Sequence, residues 1–213
     1  MTSEKLRPLA EFPRADLAAV KAVLLDIDDT LSTEGQLTAA AYGALERLKA
    51  AGLLVVPITG RPAGWCDMIA RFWPVHAVVG ENGAFYFWHD HKARKLRQRF
   101  LQSDAERTEG RRKLEELRQR ILREVPGAGV ASDQPYRVAD LAIDFCEDVP
   151  ALPRSAVDRI VSLFQQAGAT AKVSSIHVNG WFGTYDKLSM TRLALRELFD
   201  IDIDDPAQRA RIV

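Results

Sequence analysis

Short apolar runs that end in polar residues recur in the first third of the chain. Ala22 to Leu25 form one such run, and Leu53 to Ile58 form another. Continuous apolar runs of this length are typical of parallel strands that are covered on both faces. Between the two runs, Tyr42, Leu45 and Leu48 recur at helical spacing. Strand, helix and strand in this order predict a right-handed crossover unit, the building block of a doubly wound α/β sheet.

The same unit is predicted again further along the chain. Pro62 indicates the start of another helix, and Ala77 to Val79 predict a third strand. Near the end, Leu188 to Phe199 form an amphipathic pattern, which predicts a helix of the same core. The last residues, Arg211 to Val213, predict the beginning of a further core strand.

The middle of the chain follows a different pattern. A polar turn at 89–92 predicts a hairpin, and the charged stretch 103–124 predicts a long helix. An alternating strand is predicted at 140–145, and a helix and a strand follow it. We therefore predict an inserted α+β domain with an antiparallel sheet, called the cap below. The predicted division is a core at 1–85 and 181–213, with the cap at 86–180.

Composition and charge exclude several classes of protein. The chain has 213 residues, of which 47% are hydrophobic and 27% are charged, as in ordinary globular proteins. Lys+Arg and Asp+Glu both number 29, so the formal net charge of +0 gives no support to nucleic-acid binding. No apolar run approaches the roughly 20 residues that a membrane-spanning helix needs, and the N-terminal residues lack a signal-peptide pattern. Cys66 and Cys146 have no metal-ligand spacing, so we expect free thiols in the cytoplasm.

The strongest chemical signal is the acidic hexapeptide that follows the first predicted strand, Asp26-Ile27-Asp28-Asp29-Thr30-Leu31. Acids buried together are costly unless a cation or hydrogen bonds compensate, and Mg²⁺ prefers oxygen ligands. One carboxylate can then attack a phosphorus atom while the ion neutralises the phosphate charge. An acidic surface turn in which Asp and Thr act as helix caps is an equally common origin of such a hexapeptide.

Two further signals point to phosphate chemistry. Thr59, Gly60 and Arg61 follow the second predicted strand, where a hydroxyl and free backbone N–H groups make a suitable cradle for phosphate oxygens. Lys187 opens the returning helix, and its ammonium group can stabilise both a carboxylate and a transferring phosphoryl group. In isolation, a plain glycine turn and a solvated lysine explain these two features better.

Four motifs in this order resemble those of the haloacid dehalogenase superfamily, and within it the branch with a class IIB cap. The motifs are Asp26-Ile27-Asp28-Asp29-Thr30, Ile58-Thr59-Gly60-Arg61, Glu81-Asn82-Gly83-Ala84 and Asp186-Lys187. Sucrose-phosphate, mannosylphosphoglycerate and trehalose-phosphate phosphatases and phosphomannomutases lie in or near that branch. The resemblance extends from about Lys21 to the end of the chain, and it implies a Rossmann-like doubly wound core with an inserted cap.

The resemblance assigns a role to each matching residue. It implies that Asp26 is the nucleophile that becomes an aspartyl-phosphate, and that Asp28 protonates the leaving group and then activates water. Thr59 would hold a phosphate oxygen, and Lys187 would offset charge in the transition state. The Asp26 side chain and the Asp28 backbone carbonyl would bind Mg²⁺.

Other residues are expected to organise the site or touch the substrate. In the core these are Gly60, Arg61 and Asn82. In the cap, the stretch 172–181 offers Lys172, His177 and Asn179, groups that suit a polyhydroxylated ligand. An amphipathic strand with a packed His177 is the alternative interpretation. Residues 132–137 form a second candidate contact loop, for which a turn built from Asp and Pro is the alternative.

The sequence departs from the superfamily pattern in two places. Asp29 stands where glycine is most common. The fourth motif, a Gly-Asp pair that completes the Mg²⁺ site, does not occur between Lys187 and Val213. We therefore expect a truncated version of a longer protein, and an incomplete Mg²⁺ shell predicts weak metal binding and little turnover.

Three functions remain open from the sequence. The leading hypothesis is hydrolysis of a small phosphate monoester, preferably a sugar phosphate or a phosphorylated polyol derivative. A phosphomutase would use the same Asp26 and Asp28 but return the phosphoryl group to the sugar. A binding or regulatory protein would keep the fold without catalysis. The oligomeric state is left open.

Overall fold

The computed structural model describes residues 11–213. Two predictions, the absence of a signal-peptide pattern and the beginning of the core segment 1–85, concern the first ten residues and lie outside the described residues. The helices are α1 (Arg14–Ala19), α2 (Ala39–Ala50), α3 (Ala63–Phe72), α4 (Asp104–Glu124), α5 (Arg154–Gln166), α6 (Lys187–Phe199) and α7 (Pro206–Arg209). The strands are β1 (Ala22–Leu25), β2 (Leu54–Pro57), β3 (Val78–Gly80), β4 (Phe85–Asp90), β5 (Lys95–Phe100), β6 (Gly129–Val130), β7 (Leu141–Asp144), β8 (Thr170–Val173) and β9 (His177–Trp181).

The core contains the parallel sheet that the apolar runs predict. β1 and β2 pair in parallel, and a parallel bridge between Ile58 and Val79 brings in β3. On the other side of β1, Ile212 forms a parallel bridge with Ala22. The predicted α/β core is therefore confirmed, and the last residues of the chain lie beside β1 as expected of a further core strand.

The hairpin of β4 and β5 extends this core sheet. β4 pairs antiparallel with β3, and β5 pairs antiparallel with β4. Phe85 and Phe87 of β4 are buried in the same apolar cluster as Ile69 of α3. The division of the chain at residue 86 stays a prediction, and this pairing favours an insertion that begins after Phe100.

The cap is an antiparallel sheet with two helices on one face. Its strand order is β6-β7-β9-β8. Ile121 of α4 and Ile160 and Phe164 of α5 are buried against Ile143 and Val178 of this sheet. Because the helices cover one face, the other face is available to the core. This arrangement agrees with the predicted α+β insertion.

Two details of the cap strands differ from the sequence patterns. The strand predicted at 140–145 is present as β7, but it is buried at every position instead of on alternate ones, and its Asp144 carboxylate accepts the N–H groups of the next turn. The stretch 172–181, for which one amphipathic strand was the alternative interpretation, forms a hairpin of β8 and β9. Ser174 makes the turn, since its Oγ accepts the N–H of His177 at 3.0 Å.

The longest helix, α4, has 21 residues and is rich in charged side chains. Within residues 11–213, no helix combines the length and the apolar character that crossing a membrane requires.

Candidate active site

The acidic loop turns sharply at the carboxyl end of β1. The backbone N–H of Ile27 donates to Asp26 Oδ1 at 2.8 Å. Ile27–Leu31 then form an irregular turn in which Asp29 has a φ of 56°, a left-handed conformation that Asp adopts more readily than most residues. Since the chain turns at once, the side chains of Asp26 and Asp28 both line one cleft.

Lys187 meets Asp26 at this cleft although the two residues are far apart in the sequence. The Lys187 ammonium donates to Asp26 Oδ2 at 2.6 Å. The start of α6, which carries Lys187, is fixed because the N–H of Ser189 donates to Asp186 Oδ1 at 2.7 Å. The pairing of acid and lysine that the four motifs require is therefore present in the fold.

Gly83 permits the close approach that places Lys187. A Cβ atom added to this glycine would lie 2.0 Å from the carbonyl oxygen of Asp186 and 2.8 Å from the backbone nitrogen of Lys187. Its φ of 107° is also unfavourable for other residues. The loop that follows β3 can therefore lie against the start of α6 only with glycine at this position.

We expect Gly83→Ala to lower the free energy of unfolding by about 2 to 4 kcal/mol, because it combines a backbone clash with an unfavourable φ. Denaturant titration followed by circular dichroism measures the change. Gly110→Ala is the matched control: Gly110 lies in α4, has open space around its Cβ position, and should gain about 0.5 to 1 kcal/mol of stability. Equal unfolding midpoints for the two variants would contradict the proposed close contact.

Arg61 forms an ion pair with Asp28, the second acid of the loop. Its Nη2 lies 2.6 Å from Asp28 Oδ1, and its Nε donates to the same oxygen at 3.0 Å. The guanidinium also lies 4.4 Å from the centroid of the Trp65 ring, on the first turn of α3. Arg61 therefore lines the cleft while paired with Asp28, and the Trp65 ring supports its guanidinium. Trp65 was not among the predicted site residues.

Thr59, Gly60 and Asn82 form the loop edge next to this ion pair. Thr59 is fully buried, and its Oγ1 accepts the N–H of Arg61 at 3.0 Å. It does not line the cleft, so its predicted contact with phosphate stays a prediction. Gly60 and Asn82 do line the cleft. Gly60 lets the Asn82 side chain approach, because an added Cβ would lie 3.2 Å from Asn82 Oδ1.

The three candidate residues of the cap face the same cleft. Lys172 is exposed on β8, whereas His177 and Asn179 are buried on β9. His177 Nε2 lies 2.8 Å from Glu147 Oε2, and Asn179 Nδ2 donates to Asp140 Oδ2 at 3.2 Å. The structure thus brings every predicted site residue except Thr59 to one cleft of about 650 Å³. Their individual roles stay predictions.

Two buried charged residues at the junction of core and cap were not predicted as site residues. Glu81 lies within the third motif, and Arg137 lies in the candidate contact loop 132–137. Burial and the nearby Asp140 carboxylate raise the pKa of Glu81 to about 8. The only sequence signal for Glu81 was its place beside Asn82, because acceptors of backbone N–H groups leave no spacing pattern.

The oxygen donors at the end of β1 suit a hard cation in kind but are few in number. Asp26 and Asp28 supply carboxylate and carbonyl oxygens, the ligand type that Mg²⁺ prefers. Over the part of the chain that the structure describes, no group of three or more His, Cys, Asp and Glu side chains is placed to hold a metal ion. The side chains present would therefore supply only part of a Mg²⁺ shell.

Comparison with known proteins agrees with this fold. The family model of haloacid dehalogenase-like hydrolases matches residues 23–108, which include the first three motifs. No curated protein sequence matches the chain significantly. The predicted resemblance to this family is thus confirmed.

Solved structures with the same fold cover most of the chain. A protein from Thermoplasma acidophilum is 18% identical, with a TM-score of 0.63 over 91% of this chain and 75% of that chain. A trehalose-6-phosphate phosphatase related protein is 17% identical, with a TM-score of 0.57 over 83% of this chain and 74% of that one. The sucrose-phosphatase from Synechocystis, solved with sucrose and phosphate, is 14% identical, with a TM-score of 0.57 over 84% and 70% of the two chains. At these identities the comparisons establish the fold.

Proposed function

We propose that this chain is a Mg²⁺-dependent phosphatase that hydrolyses a small phosphate monoester through an aspartyl-phosphate on Asp26. The observation that carries the proposal is the 2.6 Å contact between Lys187 Nζ and Asp26 Oδ2 at the end of β1, in a polar cleft. A carboxylate beside an ammonium group, with a second acid two residues away, matches what phosphoryl transfer to an aspartate requires.

The reaction would proceed in two displacements at phosphorus. A carboxylate oxygen of Asp26 attacks the phosphorus atom, the ester P–O bond breaks, and the leaving oxygen takes a proton from Asp28. Asp28 then accepts a proton from water, whose oxygen attacks the aspartyl-phosphate and releases inorganic phosphate and the Asp26 carboxylate. Lys187 would stabilise the negative charge on the phosphoryl oxygens in both steps.

In its ion pair with Arg61, Asp28 is a carboxylate, so it can act as the acid only after the pair opens and it has taken up a proton from solvent. The guanidinium fork of Arg61 suits a phosphate as well as it suits a carboxylate. A bound phosphate group would therefore compete with Asp28 for Arg61. In this proposal Arg61 turns from the acid to the substrate, and the Trp65 ring supports the guanidinium in either position.

Mg²⁺ would be held by the Asp26 side chain and the Asp28 backbone carbonyl, with water completing the shell. When bound, the ion would neutralise part of the phosphate charge.

The proposed substrate class is a sugar phosphate or a related polyol phosphate. The cap contributes Lys172, His177 and Asn179 to the cleft, and these side chains offer hydrogen bonds to hydroxyl groups. Two proteins of the same fold are named for sugar phosphatase activity, which supports this class.

Because the side chains present supply only part of a Mg²⁺ shell, we expect slow release of inorganic phosphate from p-nitrophenyl phosphate and from members of a sugar-phosphate panel, and loss of this release when Mg²⁺ is removed with EDTA. A colorimetric phosphate assay measures release, and chromatography identifies the organic product. Restoration of activity by Mg²⁺ controls for damage by the chelator. An isomerised sugar phosphate without free phosphate would show a mutase instead.

A further inference from the structure

One buried carboxylate joins the core to the cap beside the cleft. Glu81 is fully buried, and its two oxygens accept backbone N–H groups from two separate segments. The N–H of Ala63, at the start of α3, donates to Oε1 at 2.9 Å. In the cap, Ala139 N donates to Oε2 at 2.6 Å, Asp140 N donates to Oε2 at 3.1 Å, and Val138 N donates to Oε1 at 2.9 Å.

The cap segment 138–140 depends on this carboxylate for its backbone donors. It lies outside the strands, and among the described residues its three N–H groups have no backbone acceptor. The core loops differ, because the N–H of Glu81 donates to the carbonyl of Arg61 and that of Asn82 donates to the carbonyl of Thr59, both at 3.1 Å. Loss of the carboxylate would therefore release the cap segment before the core loops.

A neighbouring guanidinium extends this connection to both walls of the cleft. The Arg137 side chain is almost completely buried, and its Nη1 donates to the carbonyl of Gly60 at 3.1 Å. The same nitrogen donates to Asp140 Oδ1 at 3.0 Å, and Asp140 in turn accepts from Asn179. Gly60 and Asn179 lie on the core wall and the cap wall of the cleft, respectively. The positions of the two walls are thus coupled through Glu81, Arg137 and Asp140.

We propose that Glu81 is a positioning residue, whose buried carboxylate holds the cap segment 138–140 on the core and thereby fixes the cap wall of the cleft relative to Asp26. The effect on catalysis rests on the proposed phosphatase function, whereas the attachment itself does not. Binding of a substrate that reaches the cap therefore depends on this attachment. Binding of a phosphate compound that is too small to reach the cap does not.

A carboxylate suits this position better than the amide of glutamine. Each Glu81 oxygen accepts at least one short N–H bond from the cap, so both atoms must be acceptors. A glutamine side chain has one acceptor oxygen and one NH₂ group, which would point its hydrogens at backbone donors.

Hydrogen exchange in the unmodified protein tests the attachment without any variant. We expect the amides of Val138, Ala139 and Asp140 to exchange as slowly as those of β7, although they lie outside the strands. Exchange at the rate of an exposed loop would overturn the proposal. This measurement holds whether or not the protein proves to be a phosphatase.

Kinetics of Glu81→Gln test the positioning role. At pH 8.5, which lies above the raised pKa of Glu81, the residue is a carboxylate. At this pH we expect the KM of the best sugar phosphate from the panel to rise about tenfold, while kcat/KM for acetyl phosphate changes by less than about threefold. Glu197→Gln is the matched control. Like Glu81, Glu197 accepts hydrogen bonds through its carboxylate, in this case from the side chains of Tyr86 and Arg99, but it does not line the cleft. Glu197→Gln should leave the ratio of the kcat/KM values for the two substrates unchanged.

The outcomes separate the two proposals. Equal losses on both substrates in Glu81→Gln, or no change on either, would overturn the positioning role. If Glu81→Gln does not fold, hydrogen exchange in the unmodified protein decides whether the segment 138–140 is held on the core. Absence of phosphate release by the unmodified protein from every substrate, with slow exchange at 138–140, would remove the proposed function and leave the attachment in place.

Discussion

Asp26→Asn is expected to lower kcat for phosphate release at least about 10³-fold, because an amide oxygen is a poor nucleophile toward phosphorus. The fold should persist. Asn keeps an acceptor for the Ile27 N–H, and the lost ion pair with Lys187 is partly exposed, so its contribution to stability is less than about 1 kcal/mol. Phosphate release and thermal unfolding, measured on the same preparation, check both parts.

Asp29→Asn is the matched control for this variant. Asp29 lies in the same loop, is exposed, and has a left-handed φ of 56° that Asn also adopts readily. We expect its kcat to stay within about threefold of the unmodified protein, since the proposed reaction makes no use of this carboxylate. Undiminished activity in Asp26→Asn would show that another group accepts the phosphoryl group.

Lys187→Met has the second largest expected effect. Methionine keeps much of the side-chain length and volume but removes the charge that contacts Asp26, so we expect kcat to fall about 10²- to 10³-fold. The loss should lie mainly in kcat, because the charge acts on the phosphoryl oxygens as the transition state forms. Steady-state kinetics at saturating Mg²⁺ measure the separate changes in kcat and KM.

Lys172→Met provides the comparison within the same cleft. Lys172 lies on the cap wall, so its loss should act through the KM of a sugar phosphate. A wild-type kcat in Lys187→Met would show that its contact with Asp26 only stabilises the fold.

The sequence predicts the core better than it predicts the contacts within the site. Continuous apolar runs identify β1 and β2 because parallel strands are buried on both faces. The ends of parallel strands share one edge of the sheet, and the resemblance in motif order placed Lys187, at the start of the returning helix, at that edge beside Asp26. The contact between their side chains agrees with that expectation.

Other parts of the site depend on tertiary contacts that leave no periodic signal. Thr59 is buried because its hydroxyl caps its own turn, and Arg61 pairs with an acid from a different loop. Glu81 accepts backbone N–H groups of the cap, and any residue type except proline can supply such a donor. The hairpin of β8 and β9 was missed because Ser174 makes its turn through a side-chain hydrogen bond, without glycine or proline.

A structure of the protein with Mg²⁺ and beryllium fluoride, a mimic of the transferred phosphoryl group, tests the central claim most directly. The account predicts the fluoride complex bonded to a carboxylate oxygen of Asp26, with Lys187 Nζ in contact with a fluorine atom and Arg61 turned away from Asp28. Density for the complex elsewhere, with Asp26 and Lys187 still paired only to each other, would contradict it.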